Sequence, residues 1–206
     1  MGSLTQILDA ATLLQGFGPW VLAGMAIIVF IESGLLFPFL PGDSLLVTAA
    51  ILRVSLGVPL WQIIGVAALA AIAGDQAGFW IGRRFGRRFF KEDARILRTS
   101  HLEEAERFFA KHGPLALVLG RFVPIVRTYI PVAAGTARMD YSRFVGWNVS
   151  GAIAWVVAMS SVGVFLGQIP GIAHSIDAIM LVIVGISVLP IVVSAVRKMM
   201  PVKQGA

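Results

Sequence analysis

Most of this chain is apolar in stretches long enough to cross a bilayer, and two of those stretches are interrupted by proline, glycine and charge. Five apolar zones can be drawn, at residues 19–56, 58–82, 113–137, 144–167 and 172–196. A hydrocarbon core about 30 Å thick needs roughly 20 apolar helical residues to cross it. Zones of this length predict an all-α polytopic membrane protein. Of the 206 residues 57% are hydrophobic and only 14% charged, more apolar surface than a soluble domain of that size needs. The length suits a single domain without a separate soluble module.

The first zone is too long for one crossing. Its break is "ESGLLFPFLPGD", residues 32–43, which sets Glu32 and Asp43 around Pro38, Pro41 and Gly42. The zone at 113–137, "GPLALVLGRFVPIVRTYIPVAAGTA", has the same makeup, with Arg121 and Arg127 among Pro124, Pro131, Gly120 and Gly135. Proline removes a backbone donor and blocks helix continuation. Bare backbone at membrane depth survives only inside protein or beside a water-filled cavity.

Charge then fixes a topology. The polar segment 83–112 holds nine Lys or Arg against five acids, which predicts a cytoplasmic loop. The tail beyond 196, with Arg197, Lys198, Lys203 and no acid, is expected on the same side. Starting and ending inside demands an even number of crossings, yet three apolar zones lie between. One zone must enter and return, and 113–137 is the candidate; Arg138 and Arg143 then fall on the cytoplasmic side, as the charge rule asks. By the same logic 19–56 dips in from the outer face before the spanning helix 58–82. The expected plan is an inverted repeat of two opposed re-entrant helical hairpins plus spanning helices. Repeat 1 is 19–82 and repeat 2 is 113–167 (its spanning helix 144–167), followed by a C-terminal span at 172–196. A simple crossing by residues 19–40 is the alternative. Residues 1–18, with Asp9 and no Lys or Arg, are expected to form an interfacial amphipathic helix rather than a signal peptide.

Charges at membrane depth point to function. Each costs about 2.5–3.5 kcal/mol at a helix centre, roughly 10–14 kcal/mol for four, comparable to a domain's whole stability. Glu32, Asp43, Arg121 and Arg127 must therefore be paired, hydrated or both. A purely structural role would be a pair of buried salt bridges pinning the hairpins together, although buried pairs are often no better than apolar packing. The functional role is anion binding by the arginines, whose planar guanidinium makes paired, charge-assisted hydrogen bonds to phosphate. Carboxylates held out of water would trade protons near neutral pH. Asp75 lies on a face with Gly74, Gly78 and Gly82 that suits close helix packing, and is assigned to that packing or to the proton path. Asn148 and Trp155 are interhelical contacts or cavity lining.

Three motifs resemble one family. They are "E-x5-P-x2-PGD" at 32–43, "GD-x2-G-x3-GR" at 74–83 and "GRFVPIVRTYIPVAAGTARM" at 120–139, followed by "F-x3-N-x2-GA-x2-W" from Phe144 to Trp155. Over about residues 20–165 the chain is similar to the DedA family, also called SNARE-associated or VTT-domain proteins. One departure is Phe79, where Tyr is frequent. The resemblance implies a multi-pass bacterial inner-membrane protein that moves undecaprenyl phosphate or a phospholipid between leaflets, linked to the proton-motive force. It assigns proton coupling to Glu32 and Asp43 and phosphate binding to Arg121 and Arg127.

The other classes have less in the sequence. A proton-coupled small-anion exchanger or ion channel would use the same charges. A lipid-phosphate phosphatase with Ser44 as nucleophile lacks a nearby His to activate it. No enzyme activity, cofactor or metal is expected: there is no cysteine, and His101, His112 and His174 lack metal-ligand spacing. The net charge of +6 is assigned to the positive-inside bias and, in "GRRFGRRFFK", to anionic headgroups at the inner face, not to nucleic acid. "HLEEAERFFAKH" is expected to lie as an amphipathic helix on that surface. The oligomeric state stays open, a homo-oligomer included.

Overall fold

In a computed structural model, the described residues are 14, 16–34, 40–89 and 99–169. Most of the expected interfacial helix, Pro38, part of the basic loop and the 172–196 span with His174 lie outside them. All regular elements among the described residues are helical: α1 (Val21–Gly34), α2 (Gly42–Leu52), α3 (Leu60–Phe85), α4 (Thr99–His112), α5 (Ala116–Leu119), α6 (Pro124–Thr136) and α7 (Tyr141–Leu166), with short 3₁₀ turns between several of them.

Among the described residues, α3 and α7, each of 26 residues, are the helices long and apolar enough to cross a membrane. They extend a few residues beyond the expected spans, α3 into the basic segment and α7 back to Tyr141. At 14 and 11 residues, α1 and α2 reach roughly 21 and 16 Å, short of a hydrocarbon core. Trp61 and Trp80 are both exposed on α3 and stand roughly 28 Å apart along it, a separation that fits two aromatic belts at membrane interfaces. Between those ends Ile27, Leu69, Ile153 and Val157 are exposed, a surface suited to lipid and costly in water.

The packing order is reciprocal. α1 packs chiefly on α3 and α2 on α7, while α5 packs on α7 and α6 on α3. Glycines set the closest approaches. A Cβ at Gly34 would lie 2.5 Å from the Gly74 carbonyl, and one at Gly163 2.5 Å from the Val47 carbonyl. The Gly74, Gly78, Gly82 face serves two neighbours: Gly74 meets α1, whereas Gly78 and Gly82 meet α6. α4 packs on α6, burying Leu102 and Ala105 and turning Glu104 and Lys111 outward. Asp140 caps α7, accepting from the Ser142 and Arg143 amides at 3.1 and 3.2 Å. The Ser142 hydroxyl and these amides hold its exposed carboxyl below the usual range.

One expectation is corrected. Pro131 does not break the second hairpin; it lies inside α6, which continues past it to Thr136. The ring leaves the Arg127 carbonyl without its intrahelical donor, but the surrounding helices hold the segment, with Pro131 Cβ 3.4 Å from where a Gly78 Cβ would stand. The break falls at Val123, extended at φ −114°, ψ 107°, because the following proline disfavours helical geometry there.

Candidate functional site

The two breaks put the charges where they are. Pro41 ends the first break and Gly42 opens α2, so Asp43 sits in the first turn of that helix, where the helix dipole favours an anion. A Cβ on Gly42 would collide with the Glu32 carboxylate, so only glycine lets the end of α1 and the start of α2 meet. In the second break Arg121 lies in the 3₁₀ turn Gly120–Phe122 and Arg127 in the first turn of α6. Gly151 on α7 leaves room for that turn; its Cβ would stand 2.8 Å from the Leu117 carbonyl and 3.2 Å from Arg121 Nε.

The four expected charges converge, and three further groups join them. In one tier Arg121 pairs with Asp75 on α3 and donates from Nη2 to Asn148 Oδ1 at 2.7 Å. Asn148 is itself fixed, donating from Nδ2 to the Ile72 carbonyl at 3.3 Å. In the other tier Arg127 pairs with Glu32 and, through Nη1, with Asp43 Oδ1 at 2.5 Å. Trp155 Nε1 donates to the same Asp43 oxygen at 2.8 Å, and the Arg127 guanidinium lies over the indole at 5.8 Å. Glu32, Asp75, Arg121 and Asn148 are buried.

The tiers are staggered along the bundle. Tyr141 and Trp80 lie side by side, ring centroids 5.5 Å apart, and mark one end. Counted from there along α7, Asn148 is about 10 Å and Trp155 about 21 Å away, so the tiers straddle the middle of the span. The gap between them, closed in by Val29 and Ser33, has room for about one water molecule. A larger anion must part the ion pairs to enter.

Asp75, Asn148 and Trp155 carried less weight in the sequence. Asp75 stood among glycines that explained the segment as a packing face, and the other two are uncharged. The signal that was there is numerical. Two arginines and two acids balance; Asp75 makes three carboxylates against two guanidiniums.

These features define a helical membrane protein with a buried carboxylate–guanidinium cluster between two broken segments. The VTT domain matches residues 40–165. Protein DedA of Escherichia coli K12 is 39% identical over 193 residues, covering 91% of this chain and 87% of its own length. Uncharacterized membrane proteins of Mycobacterium tuberculosis H37Rv and Mycobacterium leprae are 46% and 38% identical, covering 88% and 87% of this chain and 81% of their own length in each case. No solved structure matches. The chain belongs to the VTT-domain family, as a DedA-family membrane protein.

Proposed function

We propose that this protein carries a lipid phosphate, undecaprenyl phosphate or a phospholipid, between leaflets, with protons taken up alongside it. The observation that carries the reading is Arg127: a buried guanidinium shared by carboxylates from both arms of the first broken segment. It reaches from the first turn of α6 to Asp43 in the first turn of α2, and N-termini of broken helices favour an anion.

Three carboxylates face two guanidiniums, so one negative charge is unmatched if all are ionised. That excess lies with Glu32 and Asp43, which share Arg127, and this pair is the site for a proton. A phosphate arriving at Arg127 displaces one of them, and the displaced carboxylate takes a proton rather than stand uncompensated in a low-dielectric interior. The lipid tail stays among the acyl chains. Nothing in this cycle makes or breaks a covalent bond; the protein is read as a carrier rather than an enzyme.

The short arms of α1 and α2, and the reciprocal packing of α1 and α6 on α3 and of α2 and α5 on α7, support two opposed re-entrant hairpins related as an inverted repeat. The basic segment at 83–112 supports an inner-membrane placement with that loop and the C-terminus in the cytoplasm and anionic headgroups beside it.

The test is reconstitution of the full chain in liposomes containing a fluorescent phospholipid or undecaprenyl phosphate, with and without a pH gradient. The wild-type chain is expected to speed leaflet exchange, and Arg127→Ala to return it to the protein-free rate while remaining in the membrane. Wild-type exchange by Arg127→Ala would overturn the assignment.

A further inference from the structure

Glu32, Asp75 and Arg121 are buried within the ion cluster while Asp43 is partly exposed, and protons need a way to reach the buried groups. Two buried hydroxyls, Thr128 Oγ1 and Ser160 Oγ, have no hydrogen-bond partner among the described residues, and their side chains are 0% and 1% exposed. A buried polar group left unpaired costs about 1–3 kcal/mol, and native structures keep such groups where water completes them.

Their positions are complementary. Thr128 follows Arg127 on α6 and lies between α6 and α3. Those helices advance together from the Gly78–Pro131 contact at 3.4 Å to the Thr136 hydroxyl, which donates to the Gly82 carbonyl at 3.5 Å. This seam runs from the cluster to the Trp80 end. Ser160 lies on α7, about 8 Å beyond Trp155, where α7 meets α2. Those helices advance together from Trp155–Asp43 through Gly163–Val47 to Gly167–Ile51, toward the opposite end. Each seam thus starts at an ion-pair residue, Arg127 or Asp43, and carries one buried, unpartnered hydroxyl.

We infer that the α3–α6 and α2–α7 seams, closed at their glycine contacts in this structure, open as two hydrated proton-access routes, with Thr128 and Ser160 as their hydroxyl steps, reaching the carboxylate cluster from opposite faces of the membrane. The inference rests on the proton-coupled reading above. A proton arriving along either seam passes between water and hydroxyl oxygens and ends on Glu32 or Asp43, so the substrate and proton entrances are separate.

The chain contains no cysteine, so Ser160→Cys and Thr128→Cys each introduce a single thiol of nearly the original shape. Silver ion, small enough to follow water and reactive only with a hydrated thiolate, is added to intact spheroplasts or to inverted membrane vesicles holding the full chain. Unreacted thiol is then counted with maleimide after denaturation. Ala67→Cys, in the fully buried apolar core of α3 and on neither seam, is the dry control. The expected result is reaction at least about tenfold faster than the control, at Ser160→Cys in spheroplasts and at Thr128→Cys in inverted vesicles. Reaction no faster than Ala67→Cys, or at both positions from one side, overturns the inference.

The second arm measures proton uptake into liposomes loaded with a pH dye. Ser160→Ala and Thr128→Val remove an unpaired buried hydroxyl, so a packing role predicts unchanged or higher thermal stability and wild-type proton uptake. The inferred routes predict uptake reduced about tenfold with the protein still folded; wild-type uptake in both variants also overturns the inference. If the wild-type chain moves no lipid phosphate, the carrier reading fails, while the silver pattern still decides whether the seams are wet.

Discussion

The two tiers of the cluster use the same chemistry to different ends. Around Arg121 the groups are matched: one guanidinium, one carboxylate, and an amide that is itself tied to the Ile72 carbonyl. Around Arg127 they are mismatched: one guanidinium is shared by two carboxylates from different helices, against an indole. A matched buried pair has nothing to gain by rearranging. A mismatched one changes partners when a proton or an anion arrives. The comparison teaches that similar arginines need not share a role: the Arg121 tier braces α3, α7 and the second break, and the Arg127 tier is, on the proposed carrier reading, the place for exchange.

The sharpest way to break that distinction is to neutralise one acid in each tier. Arg127→Ala, which removes the shared cation instead, is expected to have the largest effect, with leaflet exchange falling to background. Next, Asp75→Asn leaves Arg121 buried without its carboxylate, and losing one partner of a buried pair costs about 3–5 kcal/mol. The double variant Asp75→Asn/Arg121→Gln is expected to recover most of that stability in thermal unfolding. Asp43→Asn leaves Glu32 and Arg127 as a matched pair, and the amide oxygen can still accept from Trp155. It is expected to cost no more than about 1 kcal/mol while making lipid exchange insensitive to a pH gradient. If Asp43→Asn destabilises the protein as much as Asp75→Asn, the tiers are equivalent and the exchange site has been misplaced.

Much of this was legible in the sequence, for physical reasons. A charge inside an apolar run is too costly to be incidental, so Glu32, Asp43, Arg121 and Arg127 stood out without coordinates. The proline and glycine content of 32–43 placed the first break, and the glycine spacing on α3 foretold close packing. What stayed hidden was partner choice. Asp75 and Arg121 are 46 residues apart and meet only because of how α3 and the second break pack together. Pro131 misled because a proline is read as a stop, whereas a helix packed against glycines on its neighbour keeps its course through one.

A smaller effect separates packing from electrostatics. Gly34→Ala would put a methyl group 2.5 Å from the Gly74 carbonyl, forcing α1 off α3 at a cost of about 1–3 kcal/mol. The same shift carries Glu32 away from Arg127, so exchange should fall together with stability. Gly65→Ala, on α3 with open space around its Cβ position, is the control and should leave both unchanged or slightly raise stability. A Gly34→Ala protein with an intact exchange rate would show that the Arg127 tier does not depend on how tightly α1 is seated.

The smallest expected effect lies outside the cluster, where the second broken segment hands over to α7. Arg138 has φ 55° in the turn that closes α6, with the Met139 amide donating to the Ala134 carbonyl at 3.0 Å and the Arg138 amide to that of Gly135 at 3.0 Å. Glycine is the ordinary residue at such a helix end because a Cβ is strained there. An arginine that accepts the strain supplies a cation at the end of the bundle marked by Trp80 and Tyr141. Arg138→Gly should therefore stabilise the turn by about 0.5–1 kcal/mol, read as a small rise in melting temperature. It should also weaken association with vesicles containing anionic lipid relative to neutral ones. A variant that gains stability and keeps the same lipid preference would show that the arginine is held there for neither backbone geometry nor charge.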